Sequence, residues 1–192
     1  QKVVSKGQDQ QSAVFIGFCG NLPAAKDINE TWKDVEMIAQ LRSLLDIRLR
    51  EIIREDKSGT YGVSVSANIV GSAERYYEFE IVFGCEPGRE QELTDSVIEA
   101  IKELQSTPVS KENVTKLTET YRRTLEVNRS NNYYWEDLVN AVEVLGYMPE
   151  AAVLDDISVI RWTTSTYLQE LAQKYFNLEN YVTVFLEPEQ KQ

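Results

Sequence analysis

Arg54 and Tyr61 stand seven residues apart, on either side of the short stretch Glu-Asp-Lys-Ser-Gly-Thr. A guanidinium is a fork of N–H donors and a phenol carries one O–H donor. Two such groups brought side by side could hold a peptide carbonyl or steady a developing oxyanion. Each also has an ordinary reading. Arg54 is a solvated base near a helix C-terminus, where cations are favoured. Tyr61 shares parity with Val63 and Val65, so period two turns it toward the core as a plain strand aromatic. The residues alone leave both readings open.

The remaining inventory is thin. The 192 residues include no histidine, which removes the commonest general base and any histidine-based triad. Ser58 and Ser64 therefore lack an activating partner. Glu78 and Glu80 lie two apart on one strand face and imitate a carboxylate pair, although a solvated face accounts for them as well. Asp155 and Asp156 follow an apolar segment and read as loop or capping residues. Cys19 and Cys85 fall in expected strands and read as small buried hydrophobes. Two cysteines without a histidine cannot make the usual four-ligand zinc site. The stretch SGTYG has too few glycines, and no following helix, to cradle a phosphate.

The elements that position these residues follow from periodicity. Residues 12–20, SAVFIGFCG, form a nearly continuous apolar run and predict a central strand. From about Asn29 to Asp56 the spacing of Val35, Ile38, Leu41, Leu45, Leu49 and Ile52 predicts one long helix, with Asp27 or Asn29 as its cap. At 1.5 Å per residue it would approach about 40 Å. After a turn at Lys57–Thr60, Tyr61, Val63, Val65, Ala67 and Ile69 alternate with polar residues, giving a half-buried strand. GSAER makes a hairpin turn into a second strand with Tyr77, Phe79, Ile81 and Phe83 on one face. Ser64, Ser66, Glu78 and Glu80 would then share the opposite, polar face.

Pro87 and Gly88 end that strand. Helical stripes follow at Leu93–Leu104, at Val114–Leu125 behind a Ser110 cap, and at Trp135, Leu138, Val142 and Leu145 before Gly146 and Pro149. A last helix covers Thr163–Phe176, and Tyr181–Pro188 reads as a closing strand. The order strand, helix, two strands, several helices, strand predicts an α+β domain with helices on one sheet face.

Bulk properties narrow the partners. The length suits one domain, residues 1–192, and 42 % hydrophobic residues suffice for a core. Net charge is −11, from 20 basic and 31 acidic residues, which disfavours nucleic acid and anionic membrane surfaces. The longest apolar run, Ala13–Cys19, is too short to span a bilayer. The opening QKVVSKGQDQQ reads as polar linker, as if cut from a longer chain.

Read along its whole length, the chain resembles the later, non-zinc domain of the zinc metallopeptidases related to insulin-degrading enzyme, pitrilysin and the mitochondrial processing peptidases, the bacterial pitrilysin-like proteins most of all. KGQDQQSAVFIGFCG, LLDIRLREIIRED, SGTYGVSVSA, the helical middle and NYVTVFLEPE occur in that family's order. The most specific segment is Arg54-Glu55, a glycine-containing turn, then Tyr61. The resemblance implies a two-layer fold with a mixed, mostly antiparallel sheet, in a domain taken from a longer multidomain peptidase. It implies that Arg54 and Tyr61 bind the substrate backbone, while zinc is held by an H-x-x-E-H motif in an earlier domain.

No such motif occurs here, so the resemblance implies no catalytic residue, no metal and no cofactor in this chain, with zinc in the full-length enzyme. The isolated chain is expected to be inactive. Its expected partners are an N-terminal zinc domain or a partner subunit, together with a peptide substrate. A non-catalytic scaffold of the same fold is the alternative. Family analogy favours a periplasmic over a cytoplasmic compartment.

Overall fold

A computed structural model describes residues 1–7, 11–56, 62–70, 75–155 and 157–189, with side chains for all of these except 54–56. The strands are β1 (Lys2–Ser5), β2 (Ser12–Leu22), β3 (Val63–Val70), β4 (Arg75–Cys85) and β5 (Val182–Glu187). They form one sheet in the order β1-β5-β2-β4-β3. β1 runs parallel to β5, and the other neighbours are antiparallel. The helices are α1 (Ile28–Leu49), α2 (Glu90–Ser106), α3 (Lys111–Asn128), α4 (Asn132–Val139), α5 (Ser158–Trp162) and α6 (Ser165–Tyr175). This is the expected α+β architecture: one mixed sheet with a helical layer on a single face.

Alternation decides which sheet face is covered. Val14, Ile16 and Phe18 of β2 point inward, as do Phe79, Ile81 and Phe83 of β4 and Val63 and Val65 of β3. They meet Leu41, Leu45 and Leu49 of α1, Leu93, Val97 and Ile101 of α2, and Leu168, Leu171 and Tyr175 of α6. Burying each such side chain contributes roughly 1.5–3 kcal/mol. The Tyr175 ring packs edge-on against Tyr77 at 4.8 Å, and Phe176 packs edge-on against Phe79 at 4.8 Å. A smaller cluster of Trp32, Ala141, Met148, Ala152 and Val159 sits under the α3–α5 region.

Local chemistry sets the element ends. Asp27 is the cap of α1, its carboxylate accepting from the Glu30 N–H at 3.0 Å. Ser110 and Thr164 cap α3 and α6 in the same way. Gly88 and Gly146 take positive φ values of 92° and 62° where β4 and the α4 region end, a conformation that costs glycine nothing.

Several details depart from the sequence reading. The opening residues are not all linker: Lys2–Ser5 pairs with β5, and Glu189 N–H donates to the Gly7 carbonyl at 3.0 Å. A four-residue edge strand whose partner lies at the far end of the chain leaves no local periodicity to read. Arg75, expected in a turn, is the first residue of β4. Cys19 is exposed whereas Cys85 is buried, because Phe18 takes the covered side and parity sends Cys19 to the other. The long helix is α-helical only to Leu49 and continues as a π-helix over Arg50–Asp56. A second π-helical turn at Asn140–Val144 follows α4 and leaves Leu145 58 % exposed, so the 3.6-residue stripe that placed it inside does not hold there.

Candidate functional site

The α1 end is the first part of the candidate site. Leu49 and Ile53 are both 0 % exposed, and they pin the π-helical segment to the core on either side of its first turn. Arg54 is the next residue of that segment. Wide π turns break the i→i−4 ladder and recur at functional positions. Neighbouring charges are already engaged: Arg50 pairs with Asp46 at 3.0 Å, and Arg48 pairs with Glu103 of α2. The Arg54 side chain, Ser58, and Tyr61 with the turn before it lie outside the described residues. The chain re-enters at Gly62, and Val63 opens β3 in register with Phe83. α1 packs directly beneath β3.

The open sheet face is the second part. On the β3–β4 side it carries the expected polar residues Ser64, Ser66, Glu78 and Glu80, but also the exposed Val70, Tyr76 and Val82. Ser66 sits opposite Glu80 and its hydroxyl donates to that carboxylate at 3.2 Å. Asn68, Glu78 and Cys19 form the next row. On the β2–β5–β1 side the face is apolar, which the strand parities of β3 and β4 alone could not reveal. Val182 and Leu186 of β5 are 54 % and 42 % exposed there, and Val82 of β4, 42 % exposed, lies beside Phe15 of β2. Phe15 lies flat over Gly17, where a Cβ would come within 2.9 Å of its ring.

Other candidate residues resolve into structural roles. Asp155 accepts from the N–H groups of Ile157 and Ser158, both at 2.9 Å, and from the Ser158 hydroxyl at 2.6 Å. These bonds, the Ser158 hydroxyl first, hold its carboxyl below the usual aspartate range. It is thus a turn residue at the start of α5, while Asp156 lies outside the described residues. Burial pushes the Cys85 thiol up to about 11, which suits an inert core cysteine. Among the described residues no group of three or more His, Cys, Asp or Glu could hold a metal ion. Nor, among them, is any helix long and apolar enough to cross a membrane.

The sequence reading passed over two features. Arg75 and Asp34 form a pair at 2.9 Å, with 4 % and 14 % of their side-chain surface exposed. A cavity of about 190 Å³ lies between α1, α3 and α4, with Trp32 and Glu36 in its wall. Neither has a signal in local periodicity, since each joins residues far apart in the chain.

One mixed sheet with a helical layer on a single face is an architecture shared with solved peptidases. A protease from Helicobacter pylori superposes with a TM-score of 0.75 at 17% identity, over 97% of this chain and 43% of that one. The peptidase M16 inactive domain from Pseudomonas fluorescens gives 0.73 at 16% identity, over 100% of this chain and 44% of that one. The periplasmic protease PqqL from Escherichia coli gives 0.70 at 18% identity, over 97% of this chain and 20% of that one. At such identities the likeness shows the fold.

The family follows from sequence: residues 1–121 match the model of the peptidase M16 inactive domain, and the chain belongs to that family. A zinc protease PQQL-like protein of Arabidopsis thaliana is 26% identical over 112 residues, 56% of this chain but 12% of that protein. The chain therefore spans a small part of the curated relative it matches.

Proposed function

We propose that this chain is one domain of a longer M16-type zinc peptidase, in which it closes a peptide chamber and orients the substrate for a zinc site held by residues outside this sequence. The observation that carries the reading is the match of residues 1–121 to a family described as inactive. The fraction of larger proteases that the fold covers supports it, at 43–44% in two cases. A chain with no histidine and no described metal-binding group does not fit zinc itself, so the hydrolytic metal has to come from another domain of the polypeptide or from a partner subunit.

In this reading Arg54 and Tyr61 supply fixed donors to the peptide backbone next to the bond that is cut. Their contribution is orientation of the carbonyl and neutralisation of charge that develops on its oxygen. The π-helical segment is anchored through Ile53, which supports a rigid mounting for Arg54. The open sheet face would line the chamber, its polar half meeting the peptide backbone and its apolar half meeting side chains.

The test is reconstitution. The isolated chain should bind no stoichiometric zinc and cleave no unstructured peptide. Hydrolysis should appear when it is joined to, or mixed with, an M16 domain carrying H-x-x-E-H. Zinc bound in a one-to-one ratio by the isolated chain would overturn the reading. So would a zinc domain that cleaves equally well without it.

A further inference from the structure

Exposed apolar side chains are not spread evenly over this molecule. Among the described residues fourteen large hydrophobic side chains are exposed, and seven of them fall between residues 127 and 157. Val144 is 75 % exposed, Tyr133 74 %, Leu154 71 % and Val127 69 %. Between Leu117 and Leu168 the described residues contribute no buried side chain to the main core. The stretch has only the small cluster around Ala141, Met148 and Ala152, so it shows more large apolar side chains to water than it buries. Scattered exposed hydrophobes are ordinary, whereas a concentration of them marks a contact surface.

The helix α4 shows this most plainly. Five of its eight residues, NYYWEDLV, are aromatic or aliphatic, and none is buried. The Trp135 indole N–H donates to the Arg129 carbonyl at 2.9 Å, only six residues back. A helix of this length does not hold itself in water, so an apolar one without a buried residue lacks the packing that normally maintains it. The π-helical turn at Asn140–Val144 then leaves Val144 and Leu145 side by side in water, and such turns recur at functional positions. Leu125, Asn128, Tyr134, Leu138 and Val153 border one cavity, so the end of α3, α4 and the segment before α5 stand together as one outcrop.

Two observations say what covers it. The chain spans only 43–44% of two solved relatives, so in those proteins more polypeptide lies outside the matched domain than within it. A net charge of −11 makes two copies of this chain repel each other, whereas a domain joined in the same polypeptide is held at high effective concentration. We propose that the outcrop formed by the end of α3, α4 and residues 140–155 is the joint at which this domain packs against an adjoining domain of the same longer polypeptide, through an apolar face on that domain. The proposal rests on the longer-peptidase reading, but it shares no residue with Arg54, Tyr61 or the open sheet face.

The test mixes this chain with the remainder of the same polypeptide, produced separately, and measures complex formation by sedimentation velocity. A complex should form, and Val144→Asp/Leu145→Asp should weaken it at least about tenfold. The isolated double variant should unfold at the parent's temperature, since both side chains are already in water. Hydrogen exchange at the α4 amides should slow in the complex. No complex, an undiminished affinity of the double variant, a lower unfolding temperature for the isolated variant, or α4 exchange equal in the free and bound chain would each overturn the proposal. So would a dimer of the isolated chain that the double variant dissolves, because the face would then belong to a second copy. A complex that behaves as expected yet cleaves no peptide would end the peptidase reading and leave this joint standing.

Discussion

Arg75, at the start of β4, is bonded to Asp34, near the start of α1, at 2.9 Å, and both side chains are nearly enclosed. The same guanidinium donates to the Pro23 carbonyl at 3.3 Å, and Lys174 of α6 lies 3.5 Å from the other Asp34 oxygen. Sheet, long helix and last helix are thus tied together at one point. The pair fixes the start of α1 against β4 and α6.

Breaking that pair from one side should leave an uncompensated buried charge. Asp34→Ala or Arg75→Ala should lower the unfolding free energy by about 3–5 kcal/mol, whereas the double replacement Asp34→Leu/Arg75→Met should cost much less. Urea unfolding of the three variants measures this. Single variants as stable as the parent would show that the pair is not isolated from water.

The two cysteines should separate by reactivity. Cys19 is exposed, and Cys85 is buried with its thiol raised to about 11. A thiol reagent at pH 8 should label one site quickly, and Cys19→Ser should abolish that phase. The second site should react only on unfolding. Fast labelling of both thiols would place Cys85 at the surface.

Glu36 predicts a pH signature. Its carboxyl titrates above the ordinary 4.5 in the folded protein, so across the interval between the two values the folded state holds more protons than the unfolded one. Stability must then fall as pH rises through that interval and stay lower above it. Glu36→Gln should be the more stable protein at pH 7, with the difference vanishing near pH 4. Thermal unfolding of both proteins across pH checks it. A parent more stable than the variant at pH 7 would contradict the raised value.

How far the sequence foretold the structure differs by element. Alternation at Val63, Val65, Phe79, Ile81 and Phe83 identified β3, β4 and their buried face, because a strand's two faces are fixed by parity alone. The stripe through Leu41, Leu45 and Leu49 gave α1 for the same kind of reason. Beyond Leu49 the π winding changes the residue spacing, so Ile53 rather than Ile52 is fully buried. The pairing of β1 with β5 and the Arg75–Asp34 bond join distant residues and leave no periodic trace. The apolar half of the open face went unnoticed because β2 was read as a continuous apolar run, with no side assigned to Phe15. Of the candidate site, a helical backbone at Arg54 was legible, but its π winding was not. The pairing with Tyr61 that we propose for it came from resemblance, not from spacing.

The most direct test of the whole account is the turnover of an assembled M16 enzyme that contains this domain with Arg54→Ala or Tyr61→Phe. Each variant should lower kcat/KM by about a hundredfold, the cost of losing one positioned donor worth about 3 kcal/mol, while bound zinc stays equal to that of the parent. Unchanged kcat/KM in both variants would contradict the claim that this domain holds the substrate for a zinc site elsewhere.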